Sequence, residues 1–335
     1  MDLQNWLNTS DYISEFKRNQ VFFRKHKDKG LLIAKRKYGS PYSEDTFWLN
    51  YCRGLVIDTE TNQAIMIPPV KSKEVQNIHE LPERSTNLVD GTMINVFFYK
   101  NEWLISSRSN IGCTNKWSTD MTFMDMFQEC SKNLDMNELN KENTYSFVMR
   151  HKKQRLTTPV TDNCLVLVEV YHKFERVNEL PTNKGYICIQ DWIPDKISKG
   201  KTGFYNHIRY KWLTSEHKFI QMIQPNTTNP CLNYLIIRNS GYLTNYLQLF
   251  PEKRFEFDKY RKKLHLFTEL LYKYYVSVFI KKTNEKTDIP FSLKPFLYEL
   301  HKIYLTKKQG ISWSTVKQYI YELEPKRIQF AFNNL

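Results

Sequence analysis

The chain has 335 residues, of which 41% are apolar, so it is long enough to bury the cores of two domains. Forty-nine Lys and Arg against thirty-five Asp and Glu give a formal charge of +14, which attracts polyanions and makes nucleic acid the leading class of partner. No segment approaches about 18 consecutive apolar residues, which excludes a membrane-spanning helix and argues against a membrane partner.

The six cysteines are dispersed without a CxxC pair, and the eight histidines show no metal-ligand spacing. We therefore expect neither a disulfide framework nor a structural metal. Residues 1–6 form neither a basic nor an apolar leader, so we expect a cytoplasmic protein. The abundance of Lys, Asn, Ile and Tyr is typical of AT-rich genomes such as those of some large DNA viruses. A viral factory or a virion is therefore a further expectation for the location.

Up to residue 213, short runs rich in β-branched and aromatic residues predict strands. Lys100-Asn101 lies between two of these runs and predicts a tight hairpin, so we expect largely antiparallel sheets. The predicted strands are 54–58, 64–67, 93–99, 102–106, 164–170 and 185–189.

From residue 214 onward the spacing of apolar residues becomes helical. The longest pattern runs from Phe257 to Val278 in alternating steps of three and four residues, and shorter patterns follow Pro290 and Gly310. The aromatic residues of this stripe are expected to form a core. The sequence thus predicts an α+β chain, with a strand-rich domain at 1–213 and an all-α domain at 214–335.

Basic and aromatic residues are interleaved in three places, at residues 22–27, 35–38 and 205–212. This mixture serves phosphate contact and base stacking together. On net charge alone, a solvated basic surface is an equal explanation. The interleaving favours RNA as the partner.

Five short elements follow one another in the strand-rich region. They read Cys52-Arg53-Gly54, Pro68-Pro69-Val70-Lys71, Leu88-Val89-Asp90-Gly91, Ser107-Arg108-Ser109, and Lys184-Gly185 followed by Arg209-Tyr210-Lys211. In this order and spacing, residues 20–213 resemble the phage-type ATP-dependent RNA ligases that reseal broken tRNA, which belong to the covalent nucleotidyltransferase superfamily. The resemblance implies two largely antiparallel sheets with a nucleotide cleft between them.

In that family the lysine of Lys-x-Asp-Gly attacks the α-phosphate of ATP, carboxylates hold the divalent metal and the ribose, and two cations hold the phosphates. This chain has Leu88 at the position of the nucleophile. Val148 and Lys184 stand at two acid positions, in the strand that would read Phe-Glu-Phe and in the Glu-Gly element. Leucine cannot attack a phosphate, so the resemblance is to a degenerate member, a pseudoenzyme, and we expect lysine adenylylation to fail.

The retained positions imply a site for nucleotide or phosphate. By resemblance its residues are Arg53, Asp90, Gly91, Arg108, Arg209 and Lys211. In a collapsed pocket these cations would instead pair with Asp90 and Glu169. The dense basic run at 150–155 is a candidate RNA contact or a solvated loop, and its cations are Arg150, Lys152, Lys153 and Arg155.

Three hypotheses follow. The first is a catalytically inactive RNA ligase-like protein that acts as an RNA-binding or assembly subunit of a larger complex, for example a viral one, with no cofactor and no metal. The second is an active ATP-dependent RNA ligase that uses ATP and Mg²⁺ and a relocated lysine, Lys184 or alternatively Lys71, Lys73 or Lys211. The third is a purely structural protein whose helical domain docks a protein partner.

Overall fold

The computed structural model describes residues 3–37, 44–117, 119–194, 200–205 and 208–334. The chain divides into two compact units, Met1–Lys218 and Phe219–Leu335, called unit 1 and unit 2 below. Unit 1 is rich in strands and unit 2 is helical, so the predicted α+β class is confirmed. None of the described helices is both long and apolar enough to cross a membrane.

Unit 1 begins with two short helices, and a third helix lies between strands of its central part. In chain order its elements are α1 (Leu3–Thr9), α2 (Tyr12–Arg18), β1 (Val21–His26), β2 (Leu31–Arg36), β3 (Arg53–Asp58), β4 (Ala64–Met66), β5 (Lys73–Glu74), β6 (Ser85–Asn87), β7 (Thr92–Tyr99), β8 (Glu102–Ser107), α3 (Phe123–Cys130), β9 (Asn143–Arg150), β10 (Cys164–His172), β11 (Glu175–Arg176), β12 (Ile187–Cys188), β13 (Gly200–Tyr205) and β14 (Ile208–Leu213).

These strands form three sheets, where the resemblance implied two. The first sheet has the order β1-β2-β3-β4, the central sheet has the order β11-β10-β9-β7-β8 with β12 beside β10, and the third sheet has the order β5-β14-β13-β6. All the pairings are antiparallel except β10 with β12 and β14 with β5. The third sheet was not predicted as such because β5 and β6 are very short and polar.

The hairpin between β7 and β8 is confirmed. Lys100 and Asn101 have φ values of 44° and 68°. Positive φ at both central residues is the requirement of the two-residue turn whose twist matches the flanking strands. This hairpin fixes the register that pairs Asn95 with Ser106.

The central sheet is buried on both faces. Alternate residues of a strand point to opposite sides, and consecutive residues of β9 and β10 are buried. On one face Phe147, Met149 and Leu165 pack in the core that contains Phe127 of α3. We call this the α3 face. On the opposite face Val148 packs in a cluster with Val89, Val166, Val168 and Ile189.

Unit 2 has its own core, formed by one face of each of several helices. The predicted stripe is confirmed in its longest helix, where Phe257, Leu264, Phe267 and Leu271 are buried. Helix α4 (Ser215–Ile223) leads into the unit. It is followed by α5 (Pro230–Asn239), α6 (Leu243–Leu249), α7 (Arg254–Tyr275), a π-helical segment (Val276–Ile280), α8 (Lys294–Lys307), α9 (Trp313–Glu322) and α10 (Pro325–Asn333).

Candidate functional site

Gly54 brings the first sheet close to the central sheet. Its φ is +119°, and a Cβ at this position would lie 3.4 Å from both the Cα of Arg108 and the Nδ2 of Asn95. A residue with a side chain would be strained in this conformation. Glycine therefore allows the start of β3, which carries Arg53, to approach the end of β8, which is followed by Arg108.

Arg53 and Arg108 lie within electrostatic range of further cations. Burial lowers the pKa of Arg53 to about 10, with further contributions from Arg108 and Arg36. Burial also lowers the pKa of Arg209 to about 10, and Arg53 adds to that effect. The pKa of Lys71 is lowered by desolvation and then by four cations, Arg36, Arg53, Lys211 and Arg108.

We call these six residues the cation cluster: Arg36, Arg53, Lys71, Arg108, Arg209 and Lys211. The structure thus brings together the four cations that the resemblance assigned to phosphate, and it adds Arg36 and Lys71. No sequence signal identified Arg36. Lys71 was singled out only as an alternative nucleophile.

Glu169 is the buried anion of this region. Its side chain is fully buried and pairs with Arg209, and the Nε of Arg176 lies 3.3 Å from its Oε2. Lys211 pairs with Glu74, at 3.0 Å between Nζ and Oε2. The pairing of Arg209 with Glu169 matches the collapsed-pocket alternative for one of the four predicted cations, whereas Lys211 pairs with an acid that this alternative did not name.

Arg53 and Arg108 have no such partner. Among the residues that the structure describes, no carboxylate oxygen lies within 4.0 Å of either guanidinium. Each therefore adds positive charge that the described residues do not balance by direct contact. An anion placed between them would gain from both charges, and more so because Arg53 is shielded from water.

A row of buried polar side chains crosses the central sheet beside this cluster. Register places Ser106 on β8, Asn95 on β7, Ser146 on β9 and Glu169 on β10 next to one another. Ser146 Oγ donates to Asn95 Oδ1 at 3.0 Å. Within the described residues, Asn95 Nδ2, Ser106 Oγ and Glu169 Oε1 are buried without a hydrogen-bond partner. Unsatisfied buried polar groups are costly, so this row is a polar floor to which a ligand or water can bind.

An open cleft of about 920 Å³ lies between the third sheet and the central sheet within unit 1. Arg84, Arg176, Lys201 and Arg209 line it, and none of its described lining residues is Asp or Glu. We call it the cationic cleft. The guanidinium of Arg176 lies 4.4 Å from the ring centroid of Phe204, which also lines the cleft. Arg209 belongs to both the cleft and the cation cluster, so the two positive regions are continuous.

Tyr205, which is 61% exposed, lines the cleft at the end of β13. It belongs to the basic-aromatic run 205–212. In the run at 22–27, Phe22 is also 61% exposed. Residues 38, 206 and 207 of the predicted runs lie outside the described residues.

The positions that would carry ligase chemistry are apolar or lie elsewhere. Leu88 donates its backbone N–H to Gly200 O at 3.0 Å, and its side chain packs against the same strand. Val148 is 6% exposed inside an apolar cluster, where an ionised carboxylate would be costly. Lys184 is exposed in the turn before β12, and Gly185 of that turn packs on Leu134 at the α3 face.

Asp90 and Gly91 have local structural roles. Asp90 Oδ2 accepts hydrogen bonds from the backbone N–H groups of Thr157 and Thr158, both at 2.8 Å. A Cβ on Gly91 would lie 2.5 Å from Met149 O, so only glycine fits against β9 at that point. The side chain of Asp90 therefore binds the loop that follows β9, and its pairing with the predicted cations is not observed.

The basic run at 150–155 does not form a continuous surface. Arg150 is 4% exposed; its Nη2 donates to Pro159 O at 2.7 Å, and its guanidinium lies over Trp192. The structure thus corrects its assignment as an RNA contact, because the side chain points inward from the end of β9. Arg155 donates to Thr157 O, whereas Lys152 and Lys153 are exposed.

The residues of this region fit phosphate and do not fit a divalent cation. Glu169 is committed to two arginines, and among the described residues no three His, Cys, Asp or Glu side chains come together as a metal site. A divalent cation needs several oxygen ligands. Phosphate oxygens, in contrast, are the preferred partners of arginine.

Comparisons with known proteins assign no family. No protein-family model matches the chain, and no curated protein matches it. Among solved structures, the chain is similar to a "Putative ATP-dependent DNA ligase from Aquifex aeolicus", with 13% identity, a TM-score of 0.37, and coverage of 89% of this chain and 80% of the other. A TM-score this low does not define a common fold.

Replacing Glu169 with glutamine should destabilise the protein strongly. The change removes the counter-charge of Arg209 and Arg176, whose side chains are 12% and 25% exposed. Removal of one partner from a fully buried pair costs about 3–5 kcal/mol, and we expect the lower end of this range because both arginines keep some contact with water. Thermal unfolding followed by circular dichroism measures the effect. The matched control is Glu142→Gln, because Glu142 makes only long, exposed pairs with His172 and Lys173 and should change stability by less than about 1 kcal/mol. Equal melting temperatures for the two variants would show that Glu169 does not hold the cluster.

Proposed function

We propose that unit 1 binds RNA through the cationic cleft and the cation cluster, without covalent nucleotide chemistry, as a degenerate RNA ligase-like subunit of a larger assembly. The main support is the pair of cations Arg53 and Arg108, for which the described residues supply no carboxylate partner. Arg53 interacts with Arg209, which lines a cleft whose described lining contains no acid. A polyanion would supply the charge that the protein lacks. Tyr205 at the cleft adds a ring for a base.

Loss of chemistry is supported by the residues around Leu88. Neither Leu88 nor Val89 offers a nucleophile, and Val148 packs in an apolar cluster in place of a carboxylate. The first step of ligation needs an amine aimed at the α-phosphate and a metal that neutralises the leaving pyrophosphate. The chain has Leu88 in place of the amine, and among the described residues no set of carboxylates comes together that fits the metal.

One observation favours the alternative of an active ligase with a relocated nucleophile. Lys71 has a lowered pKa among four cations, and neighbouring positive charge is a recognised way to activate an amine. The other candidates are less suited. Lys211 is paired with Glu74, and the turn that carries Lys184 packs on the α3 face. Lys73 lies on β5 and, like Lys71, is exposed.

Labelled ATP should leave no covalent label on the protein. We expect none with Mg²⁺ or Mn²⁺, and none on the variant Leu88→Lys, because restoring the amine does not restore the carboxylates. The measurement is denaturing electrophoresis after incubation with ATP labelled at the α-phosphate. An acid-labile label that disappears in Lys71→Arg would establish the relocated nucleophile and refute the inactive reading.

RNA affinity should depend steeply on ionic strength. In filter binding with EDTA, the logarithm of the association constant should fall linearly with the logarithm of the salt concentration. The double variant Arg84→Ala/Lys201→Ala removes two cleft cations that have no described carboxylate partner, so the salt slope should decrease by roughly 1–2. Lys132→Ala, at the end of α3, is the control and should leave the slope unchanged. Affinity that ignores ionic strength would contradict the proposal.

A further inference from the structure

Helix α7 of unit 2 changes its winding at its end. It is α-helical to Tyr275 and continues as a π-helix over Val276–Ile280. A π-turn is rare and is frequently found at functional sites. Here the widened turn carries Phe279, whose ring lies against His301 of α8.

Four rings form a stacked series that we call the aromatic column: Tyr275, Phe279, His301 and Tyr304. Successive ring centroids are 5.2, 4.3 and 5.8 Å apart, with interplanar angles of 23°, 26° and 24°. The column begins in the core, where Tyr275 is 2% exposed, and ends at the surface, where Tyr304 is 42% exposed. Tyr298, 45% exposed, meets the edge of Phe279 at 6.4 Å.

Stacking is what holds His301 in this series. Among the described residues, its Nδ1 is buried and has no hydrogen-bond partner. The ring of His301 lies between those of Phe279 and Tyr304, so the stack of rings continues from the core to the solvent. Such a stack offers an exposed ring face at its end, and every nucleobase has a face that can stack on it.

Positive charge is concentrated in the segment that carries the exposed end of the column. Residues 281–308 contain seven lysines and three acids. The Nζ of Lys286 lies 6.0 Å from the Phe279 ring centroid, and the exposed Lys302 follows Tyr298 by one helical turn. One of the three acids, Glu299, is already engaged by Tyr319 and Arg327, both at 2.7 Å.

We propose that this end of the aromatic column is a stacking platform for single-stranded nucleic acid, in which Tyr304 and Tyr298 contact bases and the neighbouring lysines contact phosphates. Exposed ring faces among lysines combine base stacking with attraction of the backbone, which is how proteins bind single strands without reading sequence. The platform lies in unit 2 and is separate from the cationic cleft of unit 1. It therefore adds a second contact, with its own chemistry, to the proposed function.

The test uses the full chain and a fluorescent oligouridylate of about 12 nucleotides, within the usual range of single-strand site sizes. The double variant Tyr298→Leu/Tyr304→Leu keeps apolar bulk and removes the rings. Its affinity for the single strand should fall at least tenfold, whereas affinity for a duplex RNA of equal length should change less than twofold. A parallel titration with oligothymidylate separates RNA from DNA as the natural strand. The matched control is Tyr321→Leu, because Tyr321 is 41% exposed but its ring face is covered by Arg238.

A site-specific measurement separates this proposal from that for unit 1. Oligouridylate that carries 4-thiouridine should crosslink to α8 at Tyr298 or Tyr304, and should still do so in Arg84→Ala/Lys201→Ala. Crosslinks confined to unit 1, or an unchanged single-strand affinity in the tyrosine double variant, would overturn the proposal. These rings would then be a contact for a protein partner. An equal loss of single-strand and duplex binding would also overturn it, because base stacking requires unpaired bases.

Discussion

Glu169 is the buried anion on which the arrangement of cations in unit 1 depends. Its carboxylate supplies the counter-charge of Arg209 and Arg176, which both line the cleft and whose side chains are 12% and 25% exposed. One carboxylate cannot balance the whole cluster. Arg53 and Arg108 remain close enough for the charge of Arg108 to lower the pKa of Arg53. Gly54 allows β3 to approach the end of β8 closely, and this approach holds Arg53 and Arg108 near each other in the fold.

The residues at the positions where the ligase resemblance would place charged groups contribute to packing. Val148 lies in an apolar cluster, and Leu88 donates its backbone N–H to Gly200. Two of the cations, Arg209 and Lys211, are held by Glu169 and Glu74, and Gly54 allows the close approach that places Arg53 near Arg108. A phosphate chain that enters this region meets charge held in fixed positions, which is the preorganisation that binding requires.

The sequence predicted the fold class and the helical stripe of unit 2, because periodicities of two and of 3.6 residues reflect burial directly. It did not predict the third sheet, since β5 and β6 have almost no apolar residues and become strands only through their neighbours. Glu169 could be noticed as a lone acid in an apolar strand. Nothing local, however, reveals that Arg36 lies near Arg53, which depends on how the sheets pack. Arg150 illustrates the opposite error, because a charge run suggests a surface, whereas the last residue of a strand can point inward.

The most direct test of anion binding by Arg53 and Arg108 is the melting temperature of the protein as inorganic pyrophosphate is added in EDTA at constant ionic strength. The account predicts a rise that increases with the logarithm of the ligand concentration, since a ligand that binds only the folded state stabilises it by mass action. It also predicts that Arg53→Gln/Arg108→Gln abolishes the rise. A melting temperature that responds to pyrophosphate no more than to chloride, or that rises equally in the variant, would contradict it.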